Sequence, residues 1–466
     1  MDTRYSNAED PQIFAGIRKA LKGIISDFHG FIQTYLPFFG RFEVRNNATF
    51  FLLGLLSDLP RKTAEPIAYL HGLNRQVIQR FLGAGVWDDR PLIKRMQEEV
   101  NTFMGSPDGI LIVDPSAFPK KGIHSAGVTR QWCGRLGKQD NCQLGVFVAF
   151  ASEKGHTLVD AKLFLPEEWI KTPRWRKDAG IPEEITYKTN WEIADELLLG
   201  CSNIIIHGWI GGDAEFGRCG EFRDRLRNRN ERYFLDIPCN LVFQFWNGTT
   251  YSAEEQNAED WCKKQIPSAW TLFDIGDGSK GKKYLKGIKI RVAVKRRDGS
   301  LREEVLVITK STDVIPELKY HLTNADPRLS LGSLVQVARR RWKVENCFER
   351  AKGEVGMDQY EVRSWTGWHH HMTLSMLALW FLVRQNLQIG GFFLIGICFS
   401  DSRIPLPIFS SKGNFFGCIP EKRYSPRWWR HPKDEDVSLR AKRSNLFDRD
   451  CFVACAPRND IGLVKK

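Results

Sequence analysis

Three carboxylates set far apart along the chain are the residues best suited to chemistry. Asp114 closes the apolar run Ile110-Leu111-Ile112-Val113, and Asp213 follows Gly211-Gly212, just past a second apolar run at Asn203–His207. Short apolar runs without alternation read as buried strands, so each aspartate would sit at a strand end. Carboxylates at the ends of neighbouring core strands approach closely, and they repel as anions unless a cation neutralises them. With a third carboxylate they make the hard oxygen set that Mg2+ takes for phosphoryl transfer. That third group is expected on a helix over 331–356. At about 100° per residue, Arg341 and Lys352 fall within about 40° of Glu345, placing one carboxylate and two cations on a single stripe. Glu349 lies about 40° to the other side, so helical geometry leaves the two glutamates open. From Arg339 to Lys352 there are six basic and two acidic residues, and a solvated charged face is the simpler account of such a helix.

The elements that must hold these groups follow from the apolar pattern. Over residues 1–104, Ile13–Ile25 and Pro91–Phe103 show 3–4 spacing, and Pro60–Gly72 with Asn74–Leu82 make two short helices about a Gly72 turn. After the strand ending at Asp114, Leu144–Ala151 and Thr157–Leu165 read as a hairpin about Ser152-Glu153-Lys154-Gly155. A helix at Trp191–Leu199, a strand at Asn203–His207, a charged helix at Phe216–Asn228 and a strand at Tyr233–Ile237 follow. The class is α/β. Residues 240–330 carry further strand-like stretches at Trp270–Ile275, Gly287–Val294 and Leu301–Thr309, a β-rich insertion. Helix returns from Leu331 to about Leu382, with an interruption near Met357–Ser364.

The chain has 466 residues, 42% hydrophobic, with a formal charge of +13. Enough apolar surface is present to build cores, which excludes disorder for the bulk of it. The positive surplus points to nucleic acid before an anionic membrane. Eleven scattered cysteines include no CxxC pair, and the polar N-terminus resembles no signal peptide, so reduced thiols in a bacterial cytoplasm are expected. Phe50–Leu56 is too short to span a bilayer, and Leu374–Phe399 is broken by Arg384, Gln385, Asn386 and Gly390-Gly391. His369-His370-His371 cannot converge on one ion from a helix, because consecutive side chains point about 100° apart.

Several ordered stretches together resemble the DDE transposases of bacterial insertion sequences, in the group with a Tyr-x2-Arg-x3-Glu-x6-Lys signature. Arg341, Glu345 and Lys352 match it in type and spacing, while the Tyr position holds Ala338. The stretch Val113-Asp114-Pro115-Ser116-Ala117-Phe118-Pro119-Lys120-Lys121-Gly122 is similar too. So are Gly137-Lys138-Gln139-Asp140-Asn141-Cys142-Gln143-Leu144-Gly145-Val146, Gly212-Asp213-Ala214-Glu215-Phe216-Gly217 and Glu361-Val362-Arg363-Ser364-Trp365-Thr366-Gly367-Trp368. The resemblance covers roughly residues 30–385. It implies an RNase H-like catalytic core (105–239), interrupted by the β-rich insertion (240–330) and completed by helices (331–388) that carry the third acidic residue. A helical N-terminal domain (1–104), a candidate for binding DNA ends, would precede it, and an atypical tail (389–466) would follow. Asp114, Asp213 and Glu345 would be the catalytic, metal-binding triad for Mg2+, with Mn2+ as a substitute. Arg341 and Lys352 would hold DNA phosphates. The expected activity is two-metal cleavage and joining of double-stranded DNA at element ends, by a homodimer in the synaptic complex and with no membrane partner. The alternative is a transposase-derived DNA-binding protein that has lost catalysis.

Contacts to DNA outside the triad are expected from the insertion. Lys280 to Arg297 contains nine Lys/Arg and no Asp/Glu, with Lys280, Lys282, Lys283 and Lys286 clustered at a hairpin turn. Trp132, Trp209 and Trp261 are candidates to stack on unpaired bases, against the commoner role of a core Trp. Beyond Gln388 no sustained period is visible, and a C-terminus altered by frameshift or truncation would explain it.

Overall fold

A computed structural model describes residues 23–278 and 281–388, together with the two-residue strands Ile408–Phe409 and Phe415–Phe416. Most of the expected Ile13–Ile25 helix, Lys280 and nearly all of the tail lie outside the described residues. The chain begins with α1 (23–33), α2 (Phe42–Leu56), α3 (Ala64–Leu70), α4 (Arg75–Gly83) and α5 (Arg90–Met104). Helices α3 and α4 are the pair expected about Gly72, with Asn74 capping α4 through the Gln76 amide. The period of α2 is blurred because its second half is buried almost all round, so no amphipathic signal marks it.

The strands and helices that follow are β1 (Ile110–Pro119), β2 (Thr129–Cys133), β3 (Lys138–Ala151), β4 (His156–Leu163), α6 (Glu167–Lys171), α7 (Pro173–Ala179) and α8 (Asn190–Ser202). Next come β5 (Trp209–Gly212), α9 (Ala214–Gly217), α10 (Gly220–Asn228) and β6 (Tyr233–Ile237). Two of these correct the sequence expectations. Asn203–His207 is a turn, and the strand is Trp209–Gly212, whose glycines carry no apolar signal; Ile206 is 56% exposed. The expected helix over Phe216–Asn228 is broken into α9 and α10 at Arg218-Cys219.

β1 is central. It runs antiparallel to β3 and parallel to β5, which in turn is parallel to β6, while β4 adds to β3. Ile110 to Val113 are fully buried, as the continuous apolar run requires of a strand covered on both faces. Residues opposite each other in an antiparallel pair share a face, so Phe147 with Ala161 and Val146 with Lys162 mark the two sides of the sheet. On the first side Phe147 meets Phe348 and Trp368; on the second, Lys162 pairs with Glu196 of α8.

Residues 240–330 contribute β7 (Val242–Trp246), β8 (Tyr251–Asn257), α11 (Ala258–Lys263), β9 (Thr271–Gly278), β10 (Gly281–Lys295), β11 (Leu301–Ser311) and β12 (Leu318–Thr323). They extend the core sheet rather than forming one of their own. The order is β2-β3-β1-β5-β6-β12-β11-β10-β7-β8, with β9 on β10. The buried Arg223 of α10 fastens the extension, donating to Glu304 of β11 at 3.2 Å.

The expected helix over 331–356 is interrupted at Trp342, giving α12 (Leu331–Arg341) and α13 (Lys343–Gly353). After the expected break comes α14 (Trp365–Gln388), nearly all of it buried between α2, α4, α5 and β4. Among the described residues no helix is long and apolar enough to cross a membrane.

Candidate active site

The parallel register pairs Val113 with Gly212, so Asp114 and Asp213 follow side by side where that pairing stops; contrary to the sequence expectation, β1 itself does not end at Asp114 but runs on to Pro119 against β3. Burial raises the Asp114 carboxyl well above the usual carboxylate range, and the nearby Asp213 and Glu345 push the same way. Arg341 and Lys352 oppose that shift. Asp213 caps α9, its Oδ1 accepting from the amides of Glu215 at 2.9 Å and Phe216 at 3.4 Å. Burial raises its pKa, then Glu215; Arg341 and the two amides lower it.

Glu345 stands in the first turn of α13 and is exposed, near enough for its charge to act on both Asp114 and Arg341. Glu349 is exposed as well, without that connection to Asp114. Lys352 Nζ donates to Ser116 Oγ of β1 at 3.0 Å and lies against the rings of Phe118 and Phe348. Burial lowers its pKa, and Asp114 is among the anions that hold it up.

Arg341 takes a position that the helical-stripe argument did not foresee. It is 5% exposed, and its Nη2 donates to Asp236 Oδ2 on β6. The other oxygen of Asp236 accepts from His321 Nδ1 at 2.7 Å, and His321 Nε2 lies 3.1 Å from Thr309 Oγ1. Burial pushes His321 down to about 3, so it is neutral: Nδ1–H donates to Asp236, and Nε2 accepts from Thr309. Gly211 makes room for the arginine, since a Cβ there would meet Arg341 Cγ at 3.1 Å and Ile110 Cδ1 at 2.8 Å. The break at Trp342 separates Arg341 from Glu345, so the guanidinium points into the sheet instead of sharing an outer face. Asp236 and His321 carried no sequence signal, because 85 positions separate them and only the β6–β12 pairing brings them together.

As donors, Asp114, Asp213 and Glu345 fit a hard divalent cation: all are oxygen ligands, and a cation would relieve the repulsion between the two half-buried aspartates. In this arrangement, no three His, Cys, Asp or Glu side chains among the described residues form a group that could hold a metal ion. Asp114 and Asp213 converge, while Glu345 remains on the solvent side. The histidine triplet is likewise no metal site. His369, His370 and His371 each hydrogen-bond a backbone carbonyl, of Trp365, Leu82 and Met357 respectively, and His370 stacks on Trp87 at 3.5 Å.

The insertion's basic stretch is largely engaged within the protein. Lys282 pairs with Asp274 at 3.3 Å, Lys289 bonds the carbonyls of Pro327 and Leu329, and Arg291 pairs with Glu303. Arg296 and Arg297 pair with Asp224 and Glu221. Lys283 and Lys286 remain exposed at the hairpin. Of the three tryptophans, Trp209 and Trp261 are buried at 4% and 9% exposure, whereas Trp132 is 59% exposed.

The chain is 36% identical over 194 residues to "Probable transposase for insertion sequence element IS701" of Microchaete diplosiphon, covering 40% of this chain and 47% of that protein. It thus spans about half the length of the curated relative it matches. Residues 34–258 match the family model described as DDE superfamily endonuclease, a span that includes Asp114, Asp213 and Asp236 and ends before α12 and α13.

Proposed function

We propose that this chain is a transposase that cuts and joins DNA at the ends of an insertion sequence, with Asp114, Asp213 and Glu345 as the acidic ligands of Mg2+ or Mn2+. The observation that carries this is the half-buried Asp114–Asp213 pair where the parallel β1–β5 pairing ends, faced by the charges of Glu345, Arg341 and Lys352. The antiparallel β4-β3-β1 strands followed by parallel β5 and β6 support an RNase H-like core.

Divalent ions held there would activate the attacking water or 3′-hydroxyl and stabilise the leaving oxygen. The chain's own residues do the positioning. Asp114 lies within β1 and Asp213 caps α9 directly after β5, so both are held by regular elements without loop ordering. Lys352, half-buried and steadied by Ser116, holds a phosphate of the strand being cut. Arg341 acts from beneath, its buried charge reducing the repulsion between the two aspartates while Asp236 keeps it in place. The paired helices α3 and α4 are the candidate reader of element ends, and synapsis of two ends calls for two copies of the chain.

The test is a cleavage assay with the full chain, Mg2+ and duplex DNA carrying the coding region with its natural flanks. Wild type should break strands at the flanks, and Asp114→Ala should bind the same DNA without cutting. Metal-dependent cleavage retained by Asp114→Ala would sink the assignment. Binding by wild type with no cleavage would point instead to a DNA-binding protein that has lost catalysis.

A further inference from the structure

A buried cation holds the far end of the helix that carries Glu345 and Lys352, and none of the readings above uses it. Lys62 lies in the connector between α2 and α3, one residue before Thr63, where α3 begins. It is 7% exposed. Its Nζ donates to the Leu55 carbonyl in the last turn of α2, at 2.7 Å, and to the carbonyl of Glu354 just past α13. Carbonyls at a helix C-terminus have no partner within the helix and carry partial negative charge, so an ammonium set between two such ends satisfies both. Burial lowers the pKa of Lys62 to about 8, against the charges of Glu354 and Asp58, so the proton is kept at neutral pH.

The rest of the connector follows the same path. The Lys62 amide donates to Gln359 Oε1 at 2.7 Å, and Arg61 pairs with Glu361 on the surface. Gly356, at φ +63°, passes so close that a Cβ there would lie 2.8 Å from Lys62 Cβ. Residues 61 and 62 thus grip 354–361, a contact that spans 292 positions of the chain between Lys62 and Glu354. α13 needs such an anchor. It has 11 residues, too few to hold a helix in water unaided, and the Trp342 side chain does not cap its start. Glu345 stands in its first turn and Lys352 in its last. A helix moves as a unit, so a shift at Glu354 displaces Lys352 close by and, along about 13 Å of helix, Glu345 as well.

We propose that Lys62 is a positioning residue for the candidate active site, its ammonium tying the ends of α2 and α13 together and so fixing where Glu345 and Lys352 stand. This rests on the reading of Glu345 as the third metal ligand. The test compares the full chain with Lys62→Met, which fills similar space without donating, and with Arg61→Gln, which breaks only the surface pair. Amide exchange, read without metal or DNA, should quicken about tenfold in α13 of Lys62→Met and stay unchanged in β1. Mn2+ binding, followed by the EPR signal of the free ion, should weaken about tenfold. Cleavage with Mg2+ should fall about 10- to 100-fold, while duplex affinity in EDTA remains that of wild type. Arg61→Gln should match wild type in every readout, as an exposed pair contributes little. If Lys62→Met does not fold, Lys62→Gln, neutral but still a donor, carries the same comparison with smaller losses in the same direction. Unchanged exchange and Mn2+ affinity would overturn the proposal, and so would equal losses in Arg61→Gln. Exchange quickened alike in α13 and β1 would overturn it too, as the mark of a general loss of stability. The exchange result judges Lys62 even if wild type cuts no DNA, an outcome that would sink the transposase reading alone.

Discussion

The guanidinium of Arg341, at the end of α12, is buried against the carboxylate of Asp236 on β6, 105 positions earlier in the chain. This contact joins the helical region to the sheet beneath the candidate active site. It also leaves Arg341 Nε buried without a hydrogen-bond partner. Breaking such a pair from one side strands a buried charge. Asp236→Asn should therefore cost about 3–5 kcal/mol in urea unfolding. The double variant Asp236→Asn/Arg341→Met should recover much of the loss, giving a clearly non-additive cycle. Additive losses would mean that the two side chains are energetically independent.

Asp114 and Asp213 are half-buried neighbours, and the charge of Asp213 disfavours ionisation of Asp114. Asp114→Asn removes that repulsion along with a metal ligand. The expected outcome is cleavage lost below detection, with a gain of about 1 kcal/mol or more in stability, as strained functional sites typically show. Loss of both cleavage and stability would mean that Asp114 serves the fold more than the site.

Glu345 and Glu349 are both exposed on α13, and only Glu345 acts on Asp114. Glu345→Gln should abolish strand cleavage. Glu349→Gln should leave the rate within about twofold and stability within about 0.5 kcal/mol, as for an ordinary surface position. The reverse result would transfer the third acidic role to Glu349.

Glu304 has a fully buried side chain that takes both Arg223 and the Tyr233 hydroxyl as donors. Glu304→Gln leaves Arg223 buried without its counter-charge, so a loss of about 3–5 kcal/mol is expected by chemical denaturation. Because Arg223 ties α10 to β11, amide exchange should quicken in β11 and β12 before it does in β1. Uniform acceleration across the whole sheet would argue that the extension does not open separately.

His371 is buried, and its Nε2 donates to the Met357 carbonyl at 3.0 Å. Burial lowers its pKa to about 4. Since this lies below the unfolded value, the unfolded chain binds the proton first as pH falls, and stability declines from about pH 6.5 toward pH 4. The slope from one such group is about 1.4 kcal/mol per pH unit. His71, His156 and His369 are lowered to about 4 by the same cause and add to it. Unfolding midpoints across that range should fall steeply for wild type and less steeply for His371→Gln. An equal slope in both would show that His371 is not held neutral.

Much of the site's placement was legible along the chain. Ile110 to Val113 form an uninterrupted apolar run that marks the first half of β1; its continuation past Asp114 to Pro119 was not legible, because pairing with β3 and not an apolar run sustains it. Tyr233–Ile237 is legible from its own apolar run. The strand before Asp213 was misplaced onto Asn203–His207, because Gly211 and Gly212 have no side chain to signal burial. They are glycines because the β1 side chains and Arg341 pack against the strand there, a requirement set by neighbours distant in sequence. The break at Trp342 was equally hidden: charge and spacing run evenly through 331–356, and the helix is divided only where Arg341 turns toward β6.

By itself the sequence determined which residues are chemically able: two aspartates each following a short apolar or glycine-rich run, and Glu345 with Lys352 at a matching helical interval. Those are local properties, carried by composition and period. Tertiary structure decided which of them meet. The parallel β1–β5 register puts Asp114 beside Asp213, and the β6–β12 pairing puts Asp236 and His321 under Arg341. Strand partners are chosen by burial of whole faces, so no local pattern along the chain encodes them. Exposure was decided in the same way: of three tryptophans alike in sequence, only Trp132 lies on an edge strand with nothing packed over it.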